Sequence, residues 1–348
     1  MKRGLHVLDP AETPDREWQE RVATLQRAMA ARGIDVALVY ADVSRSDDLA
    51  YLTNLCLYWN EGVLAIPADG PVTFLTKLSL RVQNWMKASS KVTEFSGGKN
   101  FAELVAKYLV DRENGTLGLV DAALWPADVA GEIVTAVPGW EVRRLDDLVR
   151  EQRLIPSAAE TELLRAAGRI LDDAAAKATI ESSTAGSRVE TVERALRGGG
   201  FLDLYPNSLS TSDGVTSFGV TGQYRMHWVH SSRVLGDGDG WPSDLRKALA
   251  AAIAAVRTGA TVGSLAEAAA PALTKLPDGA EAEVRWVNQA DLSTGGEFRT
   301  QDPAAVLADG EAGAVSVEVA FADGGNAAVA ETVRVTEGEP EHLTGAQR

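Results

Sequence analysis

Two glutamates near the C-terminal end, Glu318 and Glu331, flank a Gly324-Gly325 pair, each inside a run of alternating and β-branched residues. Glycine accepts the positive φ that the favoured two-residue hairpin turns demand, so the pair reads as a tight turn between two strands. Counting outward from it pairs Asp323 with Asn326, Phe321 with Ala328, and Glu318 with Glu331. Acids placed directly opposite each other, with Cβ atoms about 4.5 to 5.5 Å apart, destabilise a sheet unless a cation or a shared proton offsets the repulsion. That register builds a negative wall able to grip a positively charged group. The other reading is a longer loop, a different register, or two acids that both face solvent.

Histidine suits proton transfer near neutral pH, with an unperturbed pKa of about 6.5. His227 and His230 stand three apart in Gln223-Tyr224-Arg225-Met226-His227-Trp228-Val229-His230, which reads as one strand. Period-two alternation sends them to opposite faces, His230 with Tyr224, Met226 and Trp228, and His227 with Gln223 and Arg225. His230 is the candidate acid and base; a structural histidine bonded within the sheet is the competing reading for either one. Arg225 and Arg233 could hold a carboxylate through paired hydrogen bonds, although a surface ion pair is the commoner use of arginine. Tyr224 and Trp228 could stack on a cation, against the more frequent fate of a strand aromatic, which is core.

Elements to position these residues are legible along the chain. Apolar Trp18, Val22, Leu25 and Met29 recur at helical spacing and stop at Gly33; a buried strand follows at 34–40. Further strands at 62–67 and 71–76 flank an Ala-Asp-Gly turn, and strand and helix signals alternate on through 117–120 and 129–137. This predicts a layered α/β domain over 1–153. Ile155-Pro156-Ser157 then breaks the chain, and Ser157 with Glu160 has capping-box spacing for a long Ala-rich helix to about 182. A helix near 188–197, a strand-rich stretch over 215–235, helices at 243–257 and 264–273, and two closing strands predict an α+β domain over 154–348.

The order of these pieces resembles the creatinase, prolidase and aminopeptidase P superfamily, whose catalytic half has the pita-bread fold. The resemblance is carried by Tyr51-Leu52-Thr53-Asn54 in the first domain and by Arg153-Leu154-Ile155-Pro156-Ser157 with Glu160 and Glu162 at the junction. Downstream it rests on Ala254 to Thr261 and on the closing runs Val315-Ser316-Val317-Glu318 and Ala330 to Thr336. It implies an α/β creatinase-type N-terminal domain, a pita-bread C-terminal domain and a homodimer in which one subunit's N-terminal domain, near Asn54, Tyr58 and Trp59, closes the other's site. The metal-dependent members hold two divalent ions with two aspartates, a histidine and two glutamates. At those places this sequence has Gly219, His230, a stretch around 292–298 without histidine, Glu318 and Glu331. Two of five ligands do not suit a hard-cation pair, so neither metal nor other cofactor is expected. Creatinase itself works without metal, its corresponding glutamates holding a guanidino substrate with a histidine transferring protons, and ectoine hydrolase is also metal-free. The stretch where creatinase carries that histidine, 205–213 here, offers only hydroxyls, an amide and Asp213.

Composition narrows the remaining classes. The 348 residues carry 49 acidic against 34 basic side chains, a net charge of -15, which repels phosphate backbones and anionic membranes. No nucleic-acid or membrane partner is expected. A single cysteine, Cys56, forms no internal disulfide, and the polar start lacks an apolar leader segment, so the expected location is cytoplasmic. The leading expectation is a metal-independent enzyme acting on a C–N bond of a small, cationic nitrogenous metabolite, with Glu318, Glu331 and His230 catalytic and His227, Arg225, Arg233, Tyr224 and Trp228 binding substrate. The alternatives are a metal-dependent proline-specific peptidase and a non-catalytic binding protein, or one repurposed within secondary metabolism.

Overall fold

The computed structural model describes residue 9 and residues 11–57, 60–211, 214–235, 239–294 and 302–345. The chain divides into two compact units, Met1–Arg153 and Leu154–Arg348. Among the described residues no helix is long and apolar enough to cross a membrane.

The first unit runs α1 (Asp15–Ala31), β1 (Val36–Ala41), α2 (Asp47–Thr53), β2 (Gly62–Pro67), β3 (Thr73–Thr76), α3 (Leu80–Ser89), β4 (Glu94–Gly97), α4 (Phe101–Leu109), β5 (Thr116–Val120), α5 (Ala127–Ala136), β6 (Glu141–Leu145) and α6 (Arg150–Arg153). Its sheet has the order β4-β3-β2-β1-β5-β6, with β1 antiparallel to β2 and parallel to β5. Strands β1 and β2 are buried on both faces, which is why they read as unbroken apolar runs. One core gathers Leu25, Met29 and Leu64; the other gathers Leu38, Leu104 and Ile133.

The second unit comprises α7 (Ala158–Glu181), α8 (Ala185–Gly198), β7 (Phe201–Ser210), β8 (Thr216–Tyr224), β9 (His227–Leu235), α9 (Trp241–Ala254), α10 (Val262–Leu273), β10 (Glu281–Asn288), β11 (Ala312–Ala320), β12 (Asn326–Arg334) and β13 (Glu341–His342). Helix α7 opens on a complete capping box, with the Ser157 side chain accepting from Glu160 N and the Glu160 carboxylate accepting from Ser157 N at 2.9 Å. The strands form an antiparallel sheet in the order β10-β11-β12-β9-β8-β7, with β13 added to β12. Alternate residues of each strand pack on helices. Phe218, Val220 and Val229 meet α7 and α8 leucines, while Val315, Val317, Val329 and Val333 meet α9 and α10. The other face of the sheet forms a cleft. Edge strand β7 carries Pro206, which lacks an amide N–H and so blunts the edge against pairing.

Two local expectations are corrected. The run Gln223 to His230 is a hairpin, with Tyr224 ending β8, His227 opening β9, and Arg225 and Met226 at positive φ in the turn. Tyr224 therefore faces His227, and Gln223 faces Trp228. Between β11 and β12 the turn is also different. Phe321 N bonds to Gly325 O, Gly324 takes φ +86, and the Asp323 carboxylate accepts from Gly325 N at 2.9 Å. The side chain of Asp323 organises a longer loop in place of a two-residue one.

Candidate functional site

The loop shifts the strand register by three residues, and an odd shift moves one strand's side chains to the opposite face. Glu318 lies opposite Ala328, and Glu331 lies opposite Val315. The expected Glu318–Glu331 couple is thus corrected: Glu318 points into the cleft at 45% side-chain exposure, and Glu331 points to the helix side at 3%. On the cleft face at that level of β12 stands Ala330, paired with Ser232.

An opposed acidic pair does exist, with a different partner. Glu283 on β10 is the direct cross-strand neighbour of Glu318, and the Arg285 guanidinium lies 3.8 Å from each carboxylate. Ser316 donates to Glu318 at 3.0 Å. With Glu281 two residues before Glu283 on the same face, three acids against one arginine form a negative wall on β10 and β11. The wall bounds a cavity of about 450 Å³ whose other lining includes Asn207, Ser217, His230, Ser232 and Asn326.

The cavity floor is small and neutral. Cross-strand pairing places Asn207, Gly219, Ser232, Ala330 and Ser316 in one row across five strands. Ser217 and Ser232 both donate to the Ala328 carbonyl, at 3.0 and 2.9 Å, which ties β8 and β9 to β12. A Cβ on Gly219 would meet Asn207 Oδ1 and Ser232 Oγ, each at 2.9 Å. The place from which an acidic side chain would rise is filled by an amide and a hydroxyl.

His230 stands one row further along, its Nδ1 2.8 Å from the Thr221 hydroxyl. It borders the cavity, yet the protein packed around it pushes its pKa down to about 4 by desolvation, partly opposed by a hydrogen bond to the Val220 backbone. That shift favours the neutral imidazole, whose ring nitrogens can accept a proton, though as a weaker base than a solvated histidine.

The other candidate residues lie elsewhere. His227 is on the helix side, with Nε2 3.8 Å from the Glu160 carboxylate. Tyr224 packs there against Phe201 at 5.5 Å. Arg233 also faces the helices, 3.8 Å from Asp172, and burial lowers its pKa. Arg225 is in the β8–β9 turn with its guanidinium 5.5 Å from the Tyr224 ring. Trp228 is on the cleft face but fully buried, clustered with Val287, Leu292 and Ala314 and stacked on Tyr205 at 5.8 Å. Of the candidates, the structure brings only Glu318 and His230 to one cavity. Tyr58, Trp59, Asp213 and residues 295–298 lie outside the described residues.

Asn207, Ser217, Ser232, Glu281 and Glu283 are cavity residues that sequence reasoning missed, as is Arg285, which pairs with the wall carboxylates. Glu281, Glu283 and Arg285 alternate along β10, a period-two pattern that marks one polar face. Nothing local distinguishes the serines.

Residues 21–155 match the creatinase/prolidase N-terminal domain family. No curated protein matches the chain. Among solved structures it is similar to the prolidase from Pyrococcus horikoshii OT3, at 17% identity over 94% of this chain and 99% of that one, with a TM-score of 0.73. It is also similar to the X-Pro aminopeptidase from Thermotoga maritima MSB8, at 16% identity over 94% and 98%, TM-score 0.75. The dipeptidase PepE from Mycobacterium ulcerans matches at 18% identity over 98% and 97%, TM-score 0.71. The chain has the two-part fold of the creatinase, prolidase and aminopeptidase P superfamily, with a creatinase-like first unit and a pita-bread second unit.

A metal pair of the kind that the resemblance implies needs several carboxylates in the cleft. The row Gly219, Ser232, Ala330 supplies none, the cleft carboxylates Glu281, Glu283 and Glu318 stand to one side on β10 and β11 with Arg285 3.8 Å from two of them, and among the described residues no group of three His, Cys, Asp or Glu side chains could hold an ion. Asn207 and Ser232 occupy the space above Gly219 besides. The described donor set does not fit the metal pair.

Proposed function

We propose that the cleft of the second unit is a metal-independent site for a small organic cation with a nitrogenous head group, and that it acts on a C–N bond of that molecule. The observation that carries this reading is the pairing of a negative wall, Glu281, Glu283 and Glu318, with a floor that offers hydroxyls and an amide in place of carboxylates. A cation entering the wall replaces or supplements Arg285 as the partner of Glu318. Neutral His230 is the proton acceptor within the same cavity. In hydrolysis, water adds its oxygen to the carbon of the C–N bond, His230 takes the proton released, and the departing nitrogen receives it. The proposal includes a homodimer, to be checked by light scattering.

The test is calorimetric binding of guanidinium, amidinium and primary ammonium probes to the wild type, followed by assay of any binder for release of its nitrogen. Absence of saturable binding across all three classes contradicts the reading. A second reading, metal-dependent peptidase, is favoured by the similarity to solved prolidases and aminopeptidases. Metal analysis of the purified chain separates the two, since that reading requires near-stoichiometric divalent metal.

A further inference from the structure

His230 is held in the sheet in an unusual way. Strands β9 and β12 pair at Ser232 with Ala330 and at Ser231 with Glu331. The next position would set His230 opposite Thr332, but there the backbone ladder is interrupted. Thr332 has given its main chain to the segment after β12: Leu343 N and Thr344 N both donate to Thr332 O, at 2.9 and 3.1 Å, and Thr332 N donates to Thr344 Oγ1 at 2.8 Å.

Two hydroxyls take the place of the lost ladder. Thr332 Oγ1 accepts from His230 N at 2.8 Å and donates to His230 O at 2.8 Å. Thr344 Oγ1 donates to the same carbonyl at 3.2 Å. Every hydroxyl proton is used, and both threonines are fully buried. A cleft histidine thus hangs from two side chains, one of them on the tail.

That tail is fastened at consecutive residues. The Glu341 carboxylate is paired with Arg165. His342 Nδ1 lies 2.9 Å from Glu331 Oε2. Gly345 N donates to Asp172 Oδ2 at 2.7 Å, and a Cβ on Gly345 would overlap the Glu331 carboxyl. A Cβ on Gly168 of α7 would likewise overlap the Leu343 carbonyl. Two buried acids of the helix side, Asp172 and Glu331, thus contact the tail, and Asp172 lies 3.8 Å from Arg233 as well.

We infer that the segment Glu341–Gly345 is a working part of the cleft, in which Thr344 acts with Thr332 as a positioning residue for His230, and the Glu331–His342 pair keeps Thr344 in place. This deepens the proposed function, and its relevance to turnover rests on that reading, because it concerns how the proton acceptor is aimed. Glu331 changes role accordingly, from a cleft ligand to an anchor of the element that holds the histidine.

The test uses imidazole NMR on the ligand-free full chain. Four histidines make assignment by single substitution practical. Thr344→Val removes the hydroxyl at nearly constant volume and is expected to move the His230 ring cross-peaks by more than their line widths, while Thr344→Ser returns them to the wild-type positions. His342→Ala, which keeps Thr344 but frees its anchor, is expected to move them in the same direction and serves the test should Thr344→Val fold poorly. Unchanged His230 signals in the folded variants, or a Thr344→Ser spectrum that stays with Thr344→Val, overturn the inference. No ligand enters the measurement, so a failure of cation binding is a separate result.

Discussion

Glu318 and Glu331 stand on opposite faces of the same pair of strands, Glu318 across from Ala328 in the cleft and Glu331 across from Val315 against the helices. The two acids therefore answer differently to the same change. Glu331→Gln weakens the contact between the buried Glu331 carboxyl and the half-exposed His342, and a hydrogen bond of this kind contributes about 0.5 to 1.5 kcal/mol. Chemical denaturation should show a loss of that size. Glu318→Gln, at a half-exposed position, should leave the denaturation midpoint nearly unchanged.

Gly219 marks the closest approach of the cavity floor. Its missing side chain leaves room for Asn207 Oδ1 and Ser232 Oγ, so Gly219→Ala should cost about 1 to 3 kcal/mol by overpacking. Gly219→Asp adds one carboxylate but not a ligand set. Equilibrium dialysis of that variant should find manganese only substoichiometrically; stoichiometric uptake would show that the floor is closer to a metal site than its described donors indicate.

The neutral His230 gives stability a pH dependence of known sign. Its folded pKa, about 4, lies below the ordinary value of 6.5, so the unfolded chain binds the extra proton first. The contribution is complete above about pH 6.5 and is lost as pH falls toward 4. Between pH 7.5 and pH 5 the wild type should lose up to about 2 kcal/mol more than His230→Asn, since a tenfold difference in proton affinity between the folded and unfolded chain is equivalent to about 1.4 kcal/mol. Urea unfolding of both proteins at the two pH values checks this, and equal losses would place the imidazole in contact with bulk water.

The sequence was most legible where local signals agree with tertiary packing. Ser157 and Glu160 form the capping box that their spacing predicts, and the apolar run 62–67 is the buried strand β2 because both its faces are covered. Register was less legible. Gly324-Gly325 carries the tight-turn signal, but the Asp323 carboxylate caps the Gly325 amide and extends the loop, which is enough to turn Glu331 away from the cleft. The β8–β9 turn was hidden for another reason. Arg225 and Met226 take positive φ without being Gly, Asn or Asp, a costly conformation that composition does not announce. The opposed acids expected at the C-terminal hairpin occur one strand over, as Glu283 and Glu318, because β10 carries no turn signal to fix its partner from sequence.

The proposed hold of the negative wall on an organic cation needs no metal. Isothermal titration of a methylguanidine or acetamidine probe into the protein in excess EDTA checks this. Saturable binding that persists in the chelator and weakens about tenfold or more in Glu318→Gln, the equivalent of about 1.4 kcal/mol, is the predicted result. Binding that appears only when manganese or zinc is supplied, or that is indifferent to Glu318→Gln, contradicts it.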